Sequence, residues 1–328
     1  MSALPQYGKH LHPQEKMRAV VMNEYGAPDV LRAASVPRPV PRRGQVLVRT
    51  KFIGVNPKDV IVRKGKFQVV TGKRFPMIVG HDIAGEVVEV GLGADLALGE
   101  HVFGMINDFA GRAYAEYAAV DADQLGRAPS SIDLRAAAAV PLAAQTALQA
   151  LRDDAQITSG QNVLINGASG GVGVFAVQIA KILGANVTAV CSHRNVGLVR
   201  ELGSDHILDY TETELVTSSE RFDAFFDVFG NYSFDKVKHL LTSGGTYIQT
   251  IPSSRIFKDI ARTFVRKQRA KLVLVRSRRS QLDWLRQQID GGHLRVVVDR
   301  SFPLSDAAEA HRYMETKRAR GKVVLEVD

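Results

Sequence analysis

The sequence predicts an α/β protein in which a β-rich unit precedes a doubly wound parallel sheet. Its 328 residues suffice for about two domains. From about residue 132 onward, short apolar strands alternate with helical segments, which is typical of parallel strands joined by helical crossovers. A glycine-rich loop lies between one of these strands and the next helix. Hydrophobic residues form 45% and charged residues 23% of the chain, which excludes a disordered or fibrous protein.

The β-rich unit begins at Met17 and ends near residue 133. Alternating or apolar runs predict strands at 18–22, 45–50, 85–90 and 114–120, separated by Gly, Pro or Asp. Prolines at positions 37, 39, 41, 57 and 76 disfavour long helices in this part of the chain. We therefore expect an antiparallel, partly closed sheet here.

The alternating unit follows. Helices are predicted at 134–140, with Ser131 as a cap, and at 146–153, 171–183 and 196–202. Strands are predicted at 162–165, 186–190, 206–208, 224–228 and 246–250. The tail, residues 295–328, returns to strand, helix and strand, and its last strand covers 322–327. This alternation indicates one parallel sheet with helices on both faces.

The loop after the strand 162–165 carries the dinucleotide-binding fingerprint in a variant form, Ala168-x-Gly170-x-x-Gly173. Glycines let the main chain approach a pyrophosphate, and the N–H groups at a helix N-terminus bind its negative charge. The context of a strand before the loop and a helix after it gives the pattern its weight. We expect the following residues to bind the cofactor: Ala168, Ser169, Gly170, Gly171 and Val172.

The end of the next predicted strand indicates which cofactor is bound. NAD sites usually carry Asp or Glu about 20 residues after the loop, and no acid occurs between residues 171 and 200. Ser192 and Arg194 are suited to donate hydrogen bonds to a 2′-phosphate, and Tyr210 follows the next strand as a further donor. The sequence therefore favours NADPH over NADH.

Positive charge is concentrated in one segment. Residues 254–280 contain ten basic residues and one acid, which accounts for the net charge of +9 of the whole chain. Basic and apolar residues recur there near helical spacing, so the segment is a candidate for contact with an anionic membrane or RNA. A solvated helix at the edge of the sheet is the simpler interpretation.

The single cysteine, Cys191, excludes an intrachain disulfide framework and any Cys-rich zinc site. Residues 1–16 contain no apolar segment and no arginine, so we expect an N-terminal extension and not a secretory or transit peptide. No apolar run reaches the about 18 residues that a membrane span needs. These features predict a cytoplasmic protein.

Six segments together resemble the zinc-independent quinone oxidoreductase branch, the zeta-crystallin-like enzymes, of the medium-chain dehydrogenase/reductase superfamily. They are GVNPKD (54–59), FPMIVGHDIAGEVVEVG (75–91), GRAYAEY (111–117), the glycine loop (168–173), FPL (302–304) and GKVV (321–324). The resemblance implies a GroES-like catalytic domain from residues 17–133 and 281–328. It also implies a Rossmann cofactor domain at 134–280 and, as a family expectation, a homodimer.

The resemblance also implies roles for individual residues. Asn56 replaces a cysteine ligand of zinc-dependent relatives and lines the nicotinamide end of the cleft, where its amide or a water donates to the substrate oxygen. Thr146 and Lys322 match residues near the cofactor, and Tyr210 matches a tyrosine near the 2′-phosphate. His81 matches a zinc ligand, but its partner cysteines are replaced here, so no metal is expected.

Two departures from related enzymes narrow the substrate. Phe67 stands where enoyl-thioester reductases carry a tyrosine proton donor, and Ile61 stands where some plant-type enone reductases carry a lysine. We therefore expect NADPH-dependent hydride transfer to a quinone or an α,β-unsaturated carbonyl compound, with water as a candidate proton donor. The alternative is an NADPH-binding protein whose segment 254–280 docks on an anionic membrane or RNA.

Overall fold

A computed structural model describes residues 15–212, 214–217 and 219–328. The strands within these residues are β1 (Lys16–Met22), β2 (Arg32–Pro37), β3 (Gln45–Val55), β4 (Met77–Ile78), β5 (Asp82–Val90), β6 (His101–Met105), β7 (Tyr117–Asp121), β8 (Leu125–Arg127), β9 (Asn162–Asn166), β10 (Asn186–Cys191), β11 (His206–Asp209), β12 (Phe222–Asp227), β13 (Leu241–Gln249), β14 (Arg269–Leu272), β15 (Val298–Pro303) and β16 (Lys322–Glu326).

The α-helices in the same described ranges are α1 (Pro57–Arg63), α2 (Gln68–Thr71), α3 (Leu134–Ala138), α4 (Pro141–Leu148), α5 (Gly173–Ile182), α6 (Val196–Glu201), α7 (Phe234–Val237), α8 (Ser254–Thr263), α9 (Arg279–Asp290) and α10 (Ala307–Glu315). None of them is long and apolar enough to cross a membrane.

The β-rich unit combines strands from both ends of the chain. In the described residues its larger sheet has the order β15-β16-β3-β5-β6-β8, and β7 also pairs with β3. β16 lies antiparallel to β3, so that Val323 faces Val55. A smaller sheet of order β2-β1-β4 packs beside it. The C-terminal strand therefore delivers its first residue, Lys322, to the end of β3.

The parallel sheet of the described chain has the order β11-β10-β9-β12-β13-β14, the arrangement of a Rossmann fold. Side chains alternate between its faces. Val163 and Ile165 of β9 join the apolar core that contains α4 and α5, whereas Leu164 packs on the other side with Phe225 and Ile256. The predicted doubly wound sheet is confirmed.

The two sheets share an apolar core. Phe103 of β6 and Val324 of β16 lie in the same buried cluster as Val163 and Phe175 of the parallel sheet. α3 and α4 lie between the sheets and contact strands of the β-rich unit. Burial of this apolar surface holds the β-rich unit against the parallel sheet.

Several predicted elements differ in detail. Asp133, not Ser131, caps α3, because its Oδ1 accepts a hydrogen bond of 2.7 Å from the N–H of Ala136. The hydroxyl of Ser131 instead lies 3.4 Å from the carbonyl oxygen of Ile289. The helix predicted at 146–153 begins earlier, with α4, and continues as a π-helical stretch, Gln149–Asp154. β14 lies within the basic segment and was not predicted, because the charged residues Arg269 and Lys271 interrupt the apolar pattern by which a strand is recognised.

The predicted domain boundaries stay predictions. The division at residue 280 falls inside α9, a helix that contacts both β8 and α4. Most of the predicted extension, residues 1–16, lies outside the described residues. Lys16 already belongs to β1, where it pairs with Pro37.

Gly173 allows α5 to start directly against the glycine loop. A Cβ atom on Gly173 would lie 2.1 Å from the carbonyl oxygen of Gly167 and 2.6 Å from the carbonyl carbon of Ala168. Both neighbours are main-chain atoms, so they cannot move aside as a flexible side chain does. The third glycine of the fingerprint is therefore required for helix packing.

We expect Gly173→Ala to lower the free energy of unfolding by about 1–3 kcal/mol, because the helix or the loop must shift. Urea unfolding monitored by circular dichroism measures this change. Gly197→Ala is the matched control: Gly197 lies in α6, a Cβ there meets nothing within 4 Å, and we expect unchanged or slightly higher stability. Equal effects of the two substitutions would contradict the packing role of Gly173.

Candidate active site

The glycine loop lies at the carboxyl end of β9, where α5 begins. Ser169, Gly170, Gly171 and Val172 are partly exposed, whereas Ala168 is buried and its N–H donates to the carbonyl oxygen of Val190 (3.1 Å). The first N–H groups of a helix have no acceptor in a preceding turn, and the helix dipole adds positive potential there. This edge of the sheet therefore favours an anionic ligand such as a pyrophosphate.

Asn195 joins the glycine loop to the end of β10. Its Nδ2 lies 2.9 Å from Oγ of Ser169 and 3.4 Å from Oγ of Ser192, while its Oδ1 is buried without a partner among the described residues. Ser192 is partly exposed, and Arg194 is exposed and forms no ion pair with any described residue. The structure thus brings Ser169 and Ser192 together through a residue that the sequence analysis did not select.

β10 and β11 are adjacent and parallel, with Cys191 opposite Asp209. Ser192 and the exposed Tyr210 therefore follow paired residues at one edge of the sheet. Asp209 is an acidic residue at this edge, and it lies beyond the range of residues 171–200 in which the sequence has no acid. Its Oδ1 accepts hydrogen bonds from the N–H and hydroxyl of Thr211, at 2.9 and 2.6 Å.

Asn56 is not free to donate to a substrate. Its side chain is 1% exposed, and its Nδ2 donates to the carbonyl oxygen of Gly54 (3.2 Å) and to Oδ2 of Asp82 (3.0 Å). Its Oδ1 accepts a hydrogen bond of 2.5 Å from Nζ of Lys322. Both amide hydrogens already have acceptors inside the protein, so the hydrogen bond expected from Asn56 to a substrate oxygen has no free donor in this geometry and stays a prediction.

Lys322 stands at the junction of the two units. It is 3% exposed and its Nζ lies 3.4 Å from Oδ2 of Asp82, in addition to the bond to Asn56. Its side chain also passes the glycine loop, since a Cβ on Gly171 would lie 3.2 Å from Cδ of Lys322. An ammonium has three N–H donors, so one remains after the bonds to Asn56 and Asp82.

Asp82 is the residue on which Asn56, Lys322 and α4 converge. Its Oδ1 accepts the N–H of Leu142, near the start of α4, at 2.8 Å. Burial raises the pKa of the Asp82 carboxyl, and the charge of Lys322 and the amide of Asn56 oppose that rise. Sequence analysis missed Asp82, although its place directly after His81 in a recognised segment was a usable signal.

Thr146 lies one turn beyond Leu142 on α4 and is buried. Its hydroxyl donates to the carbonyl oxygen of Leu142 at 2.7 Å, a bond within the helix. The lone pairs of Oγ1 remain available as acceptors. Thr146 therefore lies on α4, the helix whose start is held by the hydrogen bond from Leu142 to Asp82. No contact among the described residues joins Thr146 to Lys322 or Asn56.

His81 is fully buried and both of its ring nitrogens have partners. Nδ1 lies 2.5 Å from Oδ1 of Asp59, and Nε2 lies 3.2 Å from the carbonyl oxygen of Phe109. Burial alone would raise the pKa of the Asp59 carboxyl, but the hydrogen bond and charge of His81, together with His311 and the N–H of Asn56, outweigh it and hold that pKa low. Both ring nitrogens therefore hold His81 in place within the protein.

Lys58 presents a second ammonium near these groups. It is half-buried and its Nζ lies 6.0 Å from the ring centroid of Phe109, which in turn packs edge to face with Phe67 at 6.3 Å. Burial lowers the pKa of Lys58, and the negative charges of Asp59 and Asp82 partly offset this. Lys58 forms no ion pair with any residue in the described ranges. An amine of this kind is suited to donate a proton.

Comparisons with known proteins match both units. The model of the alcohol dehydrogenase GroES-like domain matches residues 42–130, and that of the zinc-binding dehydrogenase matches residues 202–325. These matches support the predicted GroES-like unit.

The chain is 32% identical to the chloroplast envelope quinone oxidoreductase homolog of Arabidopsis thaliana, over 94% of this chain and 98% of that protein. It is 33% identical to the chloroplastic NADPH-dependent alkenal/one oxidoreductase of the same plant, over 95% of this chain and 80% of that protein. Among solved structures, the quinone oxidoreductase from Coxiella burnetii has a TM-score of 0.89 and 29% identity, with 96% and 100% of the two chains covered.

Proposed function

We propose that this chain, which belongs to the quinone oxidoreductase branch of the medium-chain dehydrogenase/reductase superfamily, reduces quinones or α,β-unsaturated carbonyl compounds with NADPH and without zinc. The relatives are named as oxidoreductases, and one of them as NADPH-dependent, which supports an oxidoreductase with a nicotinamide cofactor. The observation that carries the proposal is the position of Lys322, between the glycine loop on one side and Asn56 with Asp82 on the other.

NADPH, when bound, supplies the hydride, and the residues of this chain orient the reactants. The loop of Ser169–Val172 would hold the pyrophosphate, and Lys322 would orient the nicotinamide end through its remaining N–H. Asn56 and Asp82 hold Lys322 in place, so they act as positioning residues. Holding a hydride donor and acceptor in contact supplies much of the rate gain in such a reaction.

NADPH is proposed over NADH because Ser192 and Arg194 offer donors where an NAD site usually places an acid. Asp209 lies at the same sheet edge, but its Oδ1 already accepts two hydrogen bonds from Thr211. Its buried Oδ2 has no hydrogen-bond partner among the described residues, and Nδ1 of His193 lies 3.4 Å from it. An exposed arginine without an ion pair is well suited to a phosphate.

Zinc does not fit the residues of the cleft. Catalytic zinc needs three protein ligands, usually His, Cys or a carboxylate. The position of one expected cysteine holds Asn56, whose amide is fully hydrogen-bonded, and both nitrogens of His81 have partners. The one metal-compatible group found among the described residues is His193, Asp209 and Glu212, away from Lys322 at the edge of β10 and β11.

Lys58 is the side chain that we propose as proton donor to the reduced substrate, in place of the lysine absent at Ile61. The negative charge that develops on the carbonyl oxygen needs a donor, and Asn56 has none to spare. Phe67 and Phe109 beside Lys58 offer flat apolar surfaces suited to a quinone ring or an enone.

The homodimer and the cytoplasmic location also stay proposals. Several relatives carry the words chloroplastic or mitochondrial in their names, which describes those proteins. The alternative of a non-enzymatic NADPH-binding protein is not favoured, because the relatives are oxidoreductases.

We expect the purified protein to oxidise NADPH, followed by its absorbance, in the presence of 1,2-naphthoquinone or a simple alkenone. Because no zinc is required, a chelator such as EDTA leaves the rate unchanged. A zinc-dependent alcohol dehydrogenase treated in parallel serves as the control. A protein that binds NADPH but reduces no member of a broad quinone and enone panel would contradict the proposal.

We expect Arg194→Ala to lower kcat/KM for NADPH by about tenfold to a hundredfold, since a charged hydrogen bond contributes about 1.5–3 kcal/mol. The value for NADH should change little, because NADH has no 2′-phosphate. Steady-state kinetics with both cofactors measure the two effects. Arg200→Ala, at another exposed arginine without an ion pair, is the matched control. An equal loss with NADH would show that Arg194 does not recognise the phosphate.

We expect Lys58→Met to lower kcat by about a hundredfold or more, with little change in KM for NADPH, if Lys58 donates the proton. The wild-type rate should fall as the pH rises through the lowered pKa of Lys58, because only the ammonium donates. The variant should lack that limb of the pH profile. Lys66→Met, at an exposed lysine on the same segment, should keep both rate and profile. A pH profile unchanged by Lys58→Met would assign the proton to water.

A further inference from the structure

α8 carries apolar side chains on the side that faces away from the protein. Phe257, Ala261 and Phe264 follow the spacing that places residues on one helix face, and Phe264 continues the helical backbone. Phe257 is 54% exposed, Phe264 74% and the adjacent Val265 89%. We call these residues, with Lys258 and with Arg266 and Lys267 from the turn after the helix, the outer face of α8.

The opposite side of α8 anchors the helix to the sheet. Ile256 is fully buried in the apolar cluster with Phe225, and Ile260 packs against the same cluster. Thr263 is also buried and its hydroxyl accepts from the N–H of Ala270 in β14 at 2.9 Å. The inner side therefore satisfies the packing needs of the helix, and the aromatic residues of the outer face add nothing to the core.

The charges of the outer face are all positive and uncompensated. Lys258, Arg266 and Lys267 are exposed and form no ion pair with any residue that the structure describes. The single acid of the segment, Asp259, points inward, where it accepts the N–H of Phe234 at 3.1 Å. Arg262, by contrast, is paired with Asp235 at 2.9 Å. Three free cations therefore surround the exposed aromatic side chains.

We propose that the outer face of α8 docks on an anionic phospholipid surface. Phenylalanine and valine side chains insert among the headgroups and upper acyl chains, while lysine and arginine contact the phosphates. A second copy of this chain is a poorer occupant, because a two-fold interface would set the same unpaired cations against each other. The proposal concerns attachment only, so it stands whether or not the proposed reaction is correct.

The test is co-sedimentation of the full chain with vesicles of phosphatidylcholine, with and without phosphatidylserine. We expect binding to the anionic vesicles alone, and weaker binding as salt rises. Replacing the cations together (K258Q, R266Q and K267Q) should lower the partition coefficient by about fivefold for each charge, roughly a hundredfold in all. Phe257→Ser with Phe264→Ser should weaken binding at every salt concentration.

A matched control removes three exposed arginines elsewhere that lack ion pairs, R43Q, R200Q and R318Q. It has the same net charge as the cation variant and should bind vesicles nearly as well as wild type. If both triple variants lost vesicle binding equally, binding would depend on net charge alone and the proposal would be overturned. A wild-type dimer that the outer-face variants convert to monomer, or binding of RNA without binding of vesicles, would also overturn it.

Discussion

The site depends on the burial of one cation. The ammonium of Lys322 lies inside the protein, where an unpaired charge is costly, so it needs the oxygens of Asn56 and Asp82. Asp82 also accepts the N–H of Leu142 and so fixes the start of α4. Because Lys322 passes Gly171 as well, one buried group connects the β-rich unit, the helix between the sheets and the cofactor loop.

Neighbouring residues in one short segment serve different networks. In the segment of residues 56–59, Asn56 joins Lys322 and Asp59 joins His81, whereas Lys58 is left half-buried beside Phe109. Asp59 also accepts the N–H of Asn56 at 2.8 Å, which ties the two networks at the start of α1. A helix N-terminus that is held in this way presents Lys58 in a defined place, which supports its proposed role as proton donor.

The parallel sheet has unequal surroundings. One face packs into the core shared with the β-rich unit, whereas the other is covered in part by α7 and α8. α8 needs only its inner residues for that cover, so its outer residues are free to differ in chemistry. In this chain they are aromatic and basic, and they lie outside the cofactor loop and the Lys322 network. The proposed attachment and the proposed catalysis can therefore be altered separately.

The sequence by itself determined the element types, the sheet of parallel strands and the position of the cofactor loop, because periodicity and glycine spacing are local properties. Only the tertiary structure decided the partners. Lys322 and Asn56 are 266 residues apart in the chain, and their hydrogen bond exists because β16 pairs with β3. That pairing brings the Lys322 ammonium to the amide oxygen of Asn56, while the amide nitrogen donates to Gly54 and Asp82. Whether a side chain still has a free hydrogen-bond donor depends on all of its neighbours in space, and a local sequence pattern does not contain that information.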